Sequence, residues 1–277
     1  MSTITAGRMP GVLPTGVWRA RFELLQYFRS GDTLFFTFLF PVLMLGLFSV
    51  AFGSEVVQPT PDTPALSMAA LYLPGMLAAG LLLSGFQNLA MDIALERADG
   101  TLERLGGTPL SPVSYFLGKI GQVAVTGVLQ AALLLTVAAV VLGVELPTEP
   151  GRWATFAWVF VLGITTSALL GIALSAVPRS AKSAAAVVIP IALILQFISG
   201  VYFTFWQLPE WLQSIASIFP LVWMARGMRA VFLPDQYAAL EPGGEWGLAT
   251  VAIVLGVWLV VGLVLSRLTF RWIRRDA

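Results

Sequence analysis

Residues Thr63–Met91, with the sequence TPALSMAALYLPGMLAAGLLLSGFQNLAM, form a stretch of 29 residues without Asp, Glu, Lys or Arg. About 20 helical residues, each rising 1.5 Å, are enough to cross the ~30 Å hydrocarbon core of a bilayer. The crossing segment must be helical, because lipid offers no partners to exposed backbone amides. The stretch therefore predicts a transmembrane helix.

Five further stretches share this absence of charge over 21 or more residues. They are Thr33–Ser54, Ile120–Val144, Trp153–Pro178, Ser183–Pro209 and Trp246–Ser266. Together the six predict an all-α, polytopic membrane domain over residues 33–266. A shorter stretch, Trp211–Ala225, is interrupted by Pro220 and predicts a re-entrant or interfacial hairpin between spans 5 and 6, within the extracellular region 206–244.

The composition agrees with a fold that lipid surrounds. Of 277 residues, 57% are hydrophobic and 11% charged, against roughly 25% charged in soluble domains. The absence of cysteine and histidine excludes disulfide scaffolds, thiolate or imidazole metal sites and Ser/His/Asp catalysis within the chain. A net charge of +1 argues against a nucleic-acid partner, which needs a concentrated basic face. We expect no catalytic, cofactor-binding or metal-binding residues.

The distribution of Lys and Arg predicts the orientation of the spans. With both termini cytoplasmic, 13 of the 16 basic residues lie inside, as the positive-inside rule requires. The inside residues are Arg8, Arg19, Arg21, Arg29, Arg97, Arg104, Lys119, Arg179, Lys182, Arg267, Arg271, Arg274 and Arg275, and the outside residues are Arg152, Arg226 and Arg229. We therefore expect a multi-pass protein of the inner (plasma) membrane, with a cytoplasmic segment 1–32, an uncleaved first span and a basic cytoplasmic tail 267–277.

Before the first span, the segment Val17–Arg29 has an amphipathic pattern. One helical face carries Trp18, Phe22 and Leu25, and the opposite face carries Arg19, Glu23 and Gln26. Such a pattern predicts a helix lying in the cytoplasmic interface. Amphipathicity alone leaves open whether this helix is a simple anchor or connects a cytosolic partner to the first span.

A loop of dense mixed charge, DIALERADGTLERLGGTPLSP, follows the second predicted span at residues 92–112. Asp99 or Thr101 can cap a short helix that Gly106-Gly107 ends, and Ser111-Pro112 begins the third span. The spacing fits either a solvated turn or a short amphipathic helix that projects into the cytoplasm and fits a groove of a partner.

The order of residues in this loop resembles the first cytoplasmic loop of ABC-2-type export permeases, the bacterial exporters of drugs, lipids and polysaccharides that include the daunorubicin-resistance type. The resemblance covers Glu96–Leu105, Thr108–Pro112 and Gly118-Lys119. It continues through Pro209–Leu212 and Phe219–Arg229, which are similar to the family's extracellular re-entrant segment.

The resemblance implies a coupling helix that docks on a separate nucleotide-binding ATPase subunit. The implied coupling residues are Glu96, Arg97, Asp99, Gly100, Thr101, Leu102, Glu103, Arg104 and Leu105. ATP and Mg would be bound by the partner, because the only Gly-Lys pair, Gly118-Lys119, precedes Ile120 and forms no phosphate-binding loop. The resemblance also implies a second permease, with a homodimer favoured over a heterodimer, and alternating access to move the substrate out of the cytoplasm or inner leaflet.

Two further sets of residues are candidates for contact with substrate. Gln87, Asn88, Gln196, Ser199 and Tyr202 either line a substrate path or bond neighbouring helices. Phe219, Pro220, Trp223, Arg226 and Arg229 either form an extracellular gate or anchor at the interface, with the arginines pairing with Glu210 or Asp235 or reaching membrane lipid. The uncharged spans favour a hydrophobic or amphipathic substrate, such as a drug, natural product or lipid-like molecule.

An ion-coupled secondary transporter is the alternative to an ATP-driven exporter. Ion coupling usually requires ionisable groups at the middle of the membrane. The six charge-free stretches contain none by definition, so the sequence favours the exporter. A channel and a membrane-embedded enzyme rank lower, because no selectivity filter or catalytic pair stands out.

Overall fold

The computed structural model describes residues 11–52, 58, 61, 63–178 and 180–272, and these residues form helices and connections without a β-strand. The helices, in chain order, are α1 (Val12–Tyr27), α2 (Gly31–Ala51), α3 (Met68–Ala98), α4 (Thr101–Gly106), α5 (Pro112–Val140), α6 (Pro150–Leu174), α7 (Ala181–Ile198), α8 (Glu210–Ala216), α9 (Pro220–Phe232) and α10 (Leu248–Thr269). Short 3₁₀ turns lie at Phe205–Gln207 and Asp235–Leu240. The prediction of an all-α chain is confirmed for the described residues.

Five helices, α2, α3, α5, α6 and α10, are long and apolar enough to cross a membrane. A sixth candidate arises if α8 and α9, which meet at 99°, are one broken span. The predicted fifth span corresponds to α7, which is shorter at 18 residues. The polytopic character of the chain is therefore confirmed, while the total of six spans and the re-entrant hairpin stay predictions.

The predicted end of span 2 is wrong, whereas the predicted start of span 3 is confirmed. The second span does not end at Met91, because α3 continues to Ala98; α5 begins at Pro112, as predicted, although the charge-free stretch begins only at Ile120. Ser111 does cap α5, since its hydroxyl accepts the backbone N–H of Ser114. Charged residues continue both helices because they are paired inside the protein.

Helix α3 lies at the centre of the bundle. In its most apolar 18-residue segment 83% of the residues are buried, against 17% in the corresponding segments of α2 and α10. Small residues allow α6 to approach it closely. A methyl group added at Gly171 of α6 would lie 2.5 Å from the carbonyl oxygen of Gly85 in α3. The outer faces of α2 and α10 carry exposed apolar side chains, as expected for surfaces that lipid covers.

The amphipathic helix predicted at Val17–Arg29 is present as α1, Val12–Tyr27. Its polar residue Glu23 is buried against the bundle, whereas its apolar residues Trp18 and Phe22 are more than half exposed. This outward apolar face agrees with a helix at a membrane interface, although that position stays a prediction. Four basic residues that support the predicted orientation, Arg8, Arg179, Arg274 and Arg275, lie outside the described residues.

Candidate coupling site

Charged side chains from three helices meet around Lys119, near the start of α5. Its fully buried ammonium group donates hydrogen bonds to Glu23 Oε2 at 2.8 Å and to Glu96 Oε1 at 2.9 Å. A third bond goes to Asp92 Oδ2. An ammonium group has three donors, so these three carboxylates use all of them. Lys119 thereby joins α1, α3 and α5 at one point.

Two further side chains complete this group, which we call the ion cluster: Arg19, Glu23, Asp92, Glu96, Tyr115 and Lys119. Arg19 Nη2 lies 2.5 Å from Glu23 Oε1 and 3.1 Å from Glu96 Oε1. The Tyr115 hydroxyl donates to Glu96 Oε2 at 2.6 Å, and the Tyr115 ring lies 5.5 Å from the Arg19 guanidinium carbon. Glu96 thus accepts hydrogen bonds from residues of both α1 and α5.

Helical spacing explains why these side chains meet. Each helix contributes two members four residues apart: Arg19 and Glu23 on α1, Asp92 and Glu96 on α3, and Tyr115 and Lys119 on α5. Residues at positions i and i+4 share one helix face. A glycine lets α1 approach α5, because a methyl group at Gly118 would lie only 2.8 Å from the β-carbon of Arg19.

The ion cluster sets three carboxylates against two cations. Carboxylate oxygens of Glu23, Asp92 and Glu96 lie within 4.8 Å of one another, a spacing that would suit a metal ion. The Lys119 ammonium already bonds to all three, so it takes the position that a metal would need. Burial raises the pKa of Glu23, and the nearby Lys119 opposes that rise. This arrangement is suited to holding helices together.

The short helix α4 lies between α3 and α5. Gly100, at φ = 76°, turns the chain after α3, and Asp99 Oδ1 accepts the Thr101 N–H at 2.9 Å. The hydrogen bonds from Thr101 lower the pKa of Asp99. Leu102 is buried at 1% exposure, whereas Glu103 and Arg104 are exposed. The helix therefore presents a charged face to the surroundings and an apolar side chain to the core.

The predicted coupling residues do not form one surface. Glu96 belongs to the ion cluster, and Arg97 donates to the carbonyl oxygen of Ser175, beyond the end of α6. Both residues lie in α3 rather than in α4. The predicted residues from Thr101 to Leu105 do lie in α4, after the turn at Asp99 and Gly100. The exposed charged side chains of the set are Glu103 and Arg104 of α4 and Asp99 in the turn before it.

The predicted substrate-path residues lie in two places. Asn88 donates to Thr37 Oγ1 of α2 at 2.8 Å, beside a cleft of about 380 Å³ whose walls include Asp92 and Ala184. Gln87 precedes Asn88 and is partly exposed. At the other end of α7, about 18 Å from Ala184 at 1.5 Å per residue, Gln196 accepts from the Tyr202 hydroxyl at 2.9 Å. Ser199 lies beside them; its buried hydroxyl has no partner among the described residues.

The two arginines of the predicted gate have a different partner from the expected ones. Arg229 Nε donates to Glu241 Oε1 at 2.5 Å, and Arg226 Nε lies 3.6 Å from Glu241 Oε2. The expectation that they pair with Asp235 is wrong, because Arg152 bonds to that carboxylate at 3.0 Å. Arg226 also donates to the carbonyl oxygens of Pro242 and Glu245, at 2.8 and 2.6 Å.

The other gate candidates pack near these arginines. Trp223 Nε1 donates to the Ser217 carbonyl oxygen at 2.8 Å, and the Arg226 guanidinium lies 5.5 Å from the Trp223 ring. Pro220 begins α9 and is buried, and Phe219 is its N-cap residue. The aromatic and arginine residues therefore form one packed group around the start of α9 and the segment before α10.

Sequence reasoning missed the role of Asp92, Tyr115, Lys119 and Glu241. It treats the first three as loop or flanking residues, so it does not predict that they bond to residues of neighbouring helices. The available signal is that acidic, basic or phenolic residues stand four apart at the ends of neighbouring apolar stretches. No comparable spacing marks Glu241, which pairs with α9 through the intervening segment.

Residues 18–233 match the model of the family described as ABC-2 type transporter. The chain belongs to the ABC-2 type transporter family. The inner membrane transport permease YadH of Escherichia coli (strain K12) is 20% identical to it over 193 residues, which are 70% of this chain and 74% of YadH. The probable multidrug ABC transporter permease YbhR of the same strain is 22% identical over 204 residues, 74% of this chain and 55% of YbhR.

The matched region of this ABC-2 family member contains the whole ion cluster and the helices from α2 to α9. It ends before Glu241 and before α10. The family assignment therefore includes the candidate coupling site, while the partner of the two buried arginines lies outside the matched region.

Proposed function

We propose that this chain is the non-catalytic, membrane-spanning permease subunit of an ATP-driven exporter in the inner membrane. A separate nucleotide-binding subunit would bind ATP and Mg and dock on the exposed face of α4, with both chain termini in the cytoplasm. The observation that carries the proposal is the position of α4, which exposes Glu103 and Arg104 between two helices that the ion cluster ties together. Family membership and the name of YbhR support it.

The ion cluster would determine how a force on α4 is transmitted to the rest of the bundle. A force on α4 reaches α3 through the turn at Gly100 and reaches α5 through residues 107–111. Because Lys119 bonds to acidic residues of α1 and α3, the three helices would move as one body. Rigid movement of packed helices is a common route between two access states. The proposed exporter would alternate between inward-facing and outward-facing arrangements in this way.

The proposed substrate is a hydrophobic or amphipathic molecule such as a drug, a natural product or a lipid-like compound. The apolar spans favour such a cargo, since an isolated charge is costly to move through them. We propose two copies of the permease around the path, as a homodimer. The sparsely buried helices α2 and α10 leave apolar surface for a second copy and for lipid.

The experiment that tests this proposal is co-purification with any nucleotide-binding ATPase encoded beside the gene, followed by ATP turnover in lipid. Glu103→Ala removes an exposed charge of α4, and Glu145→Ala removes an exposed charge at the opposite end of α5. We expect Glu103→Ala to weaken association and lower permease-dependent turnover by about 5- to 30-fold, the effect of losing 1–2 kcal/mol at a contact. Equal effects of the two variants, or no association of the wild-type chain, would reject the docking surface.

An ion-coupled secondary transporter is the second candidate, and one observation favours it. Asp92, Glu96 and Lys119 are ionisable residues within the candidate spans α3 and α5, although they lie outside the charge-free stretches of those helices. The charges lie at the ends of the helices and satisfy one another, which favours a structural role. Accumulation of a dye such as ethidium in vesicles under a proton gradient without ATP would support the carrier; dependence on ATP alone would exclude it.

A further inference from the structure

The segment that follows the last long helix packs onto the candidate coupling site. After α10 ends at Thr269, the Phe270 ring lies 4.5 Å from the Phe116 ring and 5.8 Å from the Tyr115 ring. The Trp272 ring lies 5.4 Å from Tyr115 and 5.3 Å from Phe270. We call Phe270 and Trp272 the C-terminal clasp. Both residues belong to the predicted basic tail 267–277.

The clasp also contacts the end of α4. A methyl group added at Gly106, the last residue of that helix, would lie 3.2 Å from the β-carbon of Trp272. Leu102 and Leu105 of α4 belong to the same hydrophobic cluster as Phe270 and Trp272. The face of α4 opposite Glu103 is therefore packed between the core and the clasp.

Tyr115 connects the clasp to the ion cluster. Its ring contacts both clasp residues, and its hydroxyl bonds to Glu96 at 2.6 Å. The residue has no exposed surface. Removing the clasp rings would leave one side of Tyr115 open and would weaken the fixed geometry of the hydrogen bond to Glu96.

The need for a clasp follows from the chain between α4 and α5. Two consecutive glycines, Gly106 and Gly107, end α4, and glycine restricts the backbone less than any other residue. A helix of six residues with a glycine hinge at one end is too short to hold its direction by its own hydrogen bonds. Trp272 packs against the hinge itself.

We propose that Phe270 and Trp272 are positioning residues for the coupling helix. They fix α4 against α5 and α10, so that a load on α4 moves the helix bundle instead of bending the glycine hinge. This role rests on the proposed function, because it takes α4 as the surface that receives the load. It assigns to the segment after α10 a direct connection to the coupling site.

The first arm of the test measures the orientation of α4 in the permease alone. The chain has no cysteine, so Glu103→Cys gives a single site for a nitroxide label on α4. We expect Trp272→Ala to remove the broad, immobile component of the spin-label spectrum in nanodiscs, and Trp272→Phe to restore it. An unchanged spectrum in a folded Trp272→Ala protein, judged by helix content and size-exclusion profile, would overturn the proposal.

A glycine pair supplies the matched control. Gly106→Ala places a methyl group against Trp272, whereas Gly107→Ala meets only the Arg104 carbonyl oxygen, at an ordinary 3.5 Å. We expect Gly106→Ala to mobilise the label and Gly107→Ala to leave it unchanged. The effect of Gly106→Ala should vanish when Trp272 is already glycine, which lacks the β-carbon that the methyl group would meet at 3.2 Å. Equal effects of the two glycine variants would contradict contact with the clasp.

The second arm measures ATP turnover of the unlabelled permease with its ATPase subunit. Trp272→Ala should reduce permease-dependent turnover toward that of the ATPase alone while the two proteins still co-purify. A mobile α4 with unchanged turnover would overturn the positioning role. If the wild-type permease binds no ATPase but Trp272→Ala still mobilises the label, the proposed function is wrong and the clasp contact stands.

Discussion

Lys119 of α5 and Glu23 of α1 form an ion pair with a 2.8 Å separation, in which neither side chain is more than 4% exposed. Removing two charges from water is costly, and their attraction repays this cost only when other bonds satisfy the remaining atoms. Here Arg19 contacts Glu23, and two further carboxylates surround Lys119. The pair therefore fixes the amphipathic helix to the bundle only as part of the complete ion cluster.

Replacement of Lys119 by methionine tests this dependence. The variant leaves three carboxylates with Arg19 as their remaining cation, and breaking a buried pair in this way typically costs about 3–5 kcal/mol. We expect a clear fall in the melting temperature of the purified protein in detergent. Lys182→Met, which removes an exposed lysine, is the control and should melt like the wild type. Similar melting of both variants would show that the cluster does not stabilise the fold.

The raised pKa of Glu23 predicts a pH dependence of stability. The usual pKa is 4.5, and burial raises the folded-state value, against the effect of Lys119 and Arg19 and with that of Glu96 and Asp92. At pH values between the usual pKa, which applies to the unfolded state, and the raised pKa of the folded state, the folded protein binds more protons than the unfolded chain. The free energy of unfolding therefore falls as pH rises through this range. Above the folded-state pKa this contribution is constant.

Glu23→Gln should remove that slope, because glutamine does not titrate and its carbonyl oxygen still accepts from Lys119. The measurement is the melting temperature from pH 4.5 upward for the wild type and the variant. Glu145→Gln, at an exposed position, should keep the wild-type slope. If Glu23→Gln retains the full slope, another group is responsible for it.

Charge-free stretches are sufficient to predict most helices of this chain, because lipid permits few other backbone conformations. They misplace helix ends where charges pair inside the protein. Asp92 and Lys119 mark the ends of apolar stretches, yet each lies within a helix, because Lys119 also meets Glu23, 96 residues earlier in the chain. Such pairing depends on how helices are arranged, and a hydropathy pattern carries no such information.

For the candidate sites too, local spacing predicts single helices but not contacts between distant segments. The sequence indicates that Gly106-Gly107 ends any short helix in the loop after α3, because that depends only on local residue types, and α4 does end there. It misses Glu241 as the partner of Arg229, because the two are joined through the folding of the segment between α9 and α10. The aromatic contacts of Trp272 are unpredicted for the same reason.

The close approach of α3 and α6 predicts a contrast between two glycines. Gly171→Ala would place a methyl group 2.5 Å from the carbonyl oxygen of Gly85, and overpacking of this kind typically costs about 1–3 kcal/mol. Gly256→Ala in α10 meets no atom of the described residues within 4 Å and gains helix propensity. We expect the first variant to melt lower and the second to equal or exceed the wild type. Equal melting would contradict the close contact.

Glu241 is shared by two buried arginines, which predicts unequal effects of removing the carboxylate or one arginine. Arg226 and Arg229 are 7% and 3% exposed, and Glu241 is 4% exposed. Glu241→Ala leaves two like charges buried together, whereas Arg229→Ala leaves Glu241 beside Arg226. We expect Glu241→Ala to lower the melting temperature more. The double variant, which combines Arg229→Ala with Glu241→Ala, should be more stable than the sum of the single effects predicts, because the residues share one network.

The same variants separate a gate from a structural anchor. Arg229→Ala that assembles normally but lowers ATP-dependent transport of a dye such as ethidium would favour a gate. If Arg229 serves only to balance Glu241, the double variant should regain transport as it regains stability. A gate requires the arginine itself, so transport would stay low in the double variant although its melting temperature rises. Dye transport measured beside melting temperature therefore distinguishes the two roles, and unchanged transport in Arg229→Ala would exclude the gate.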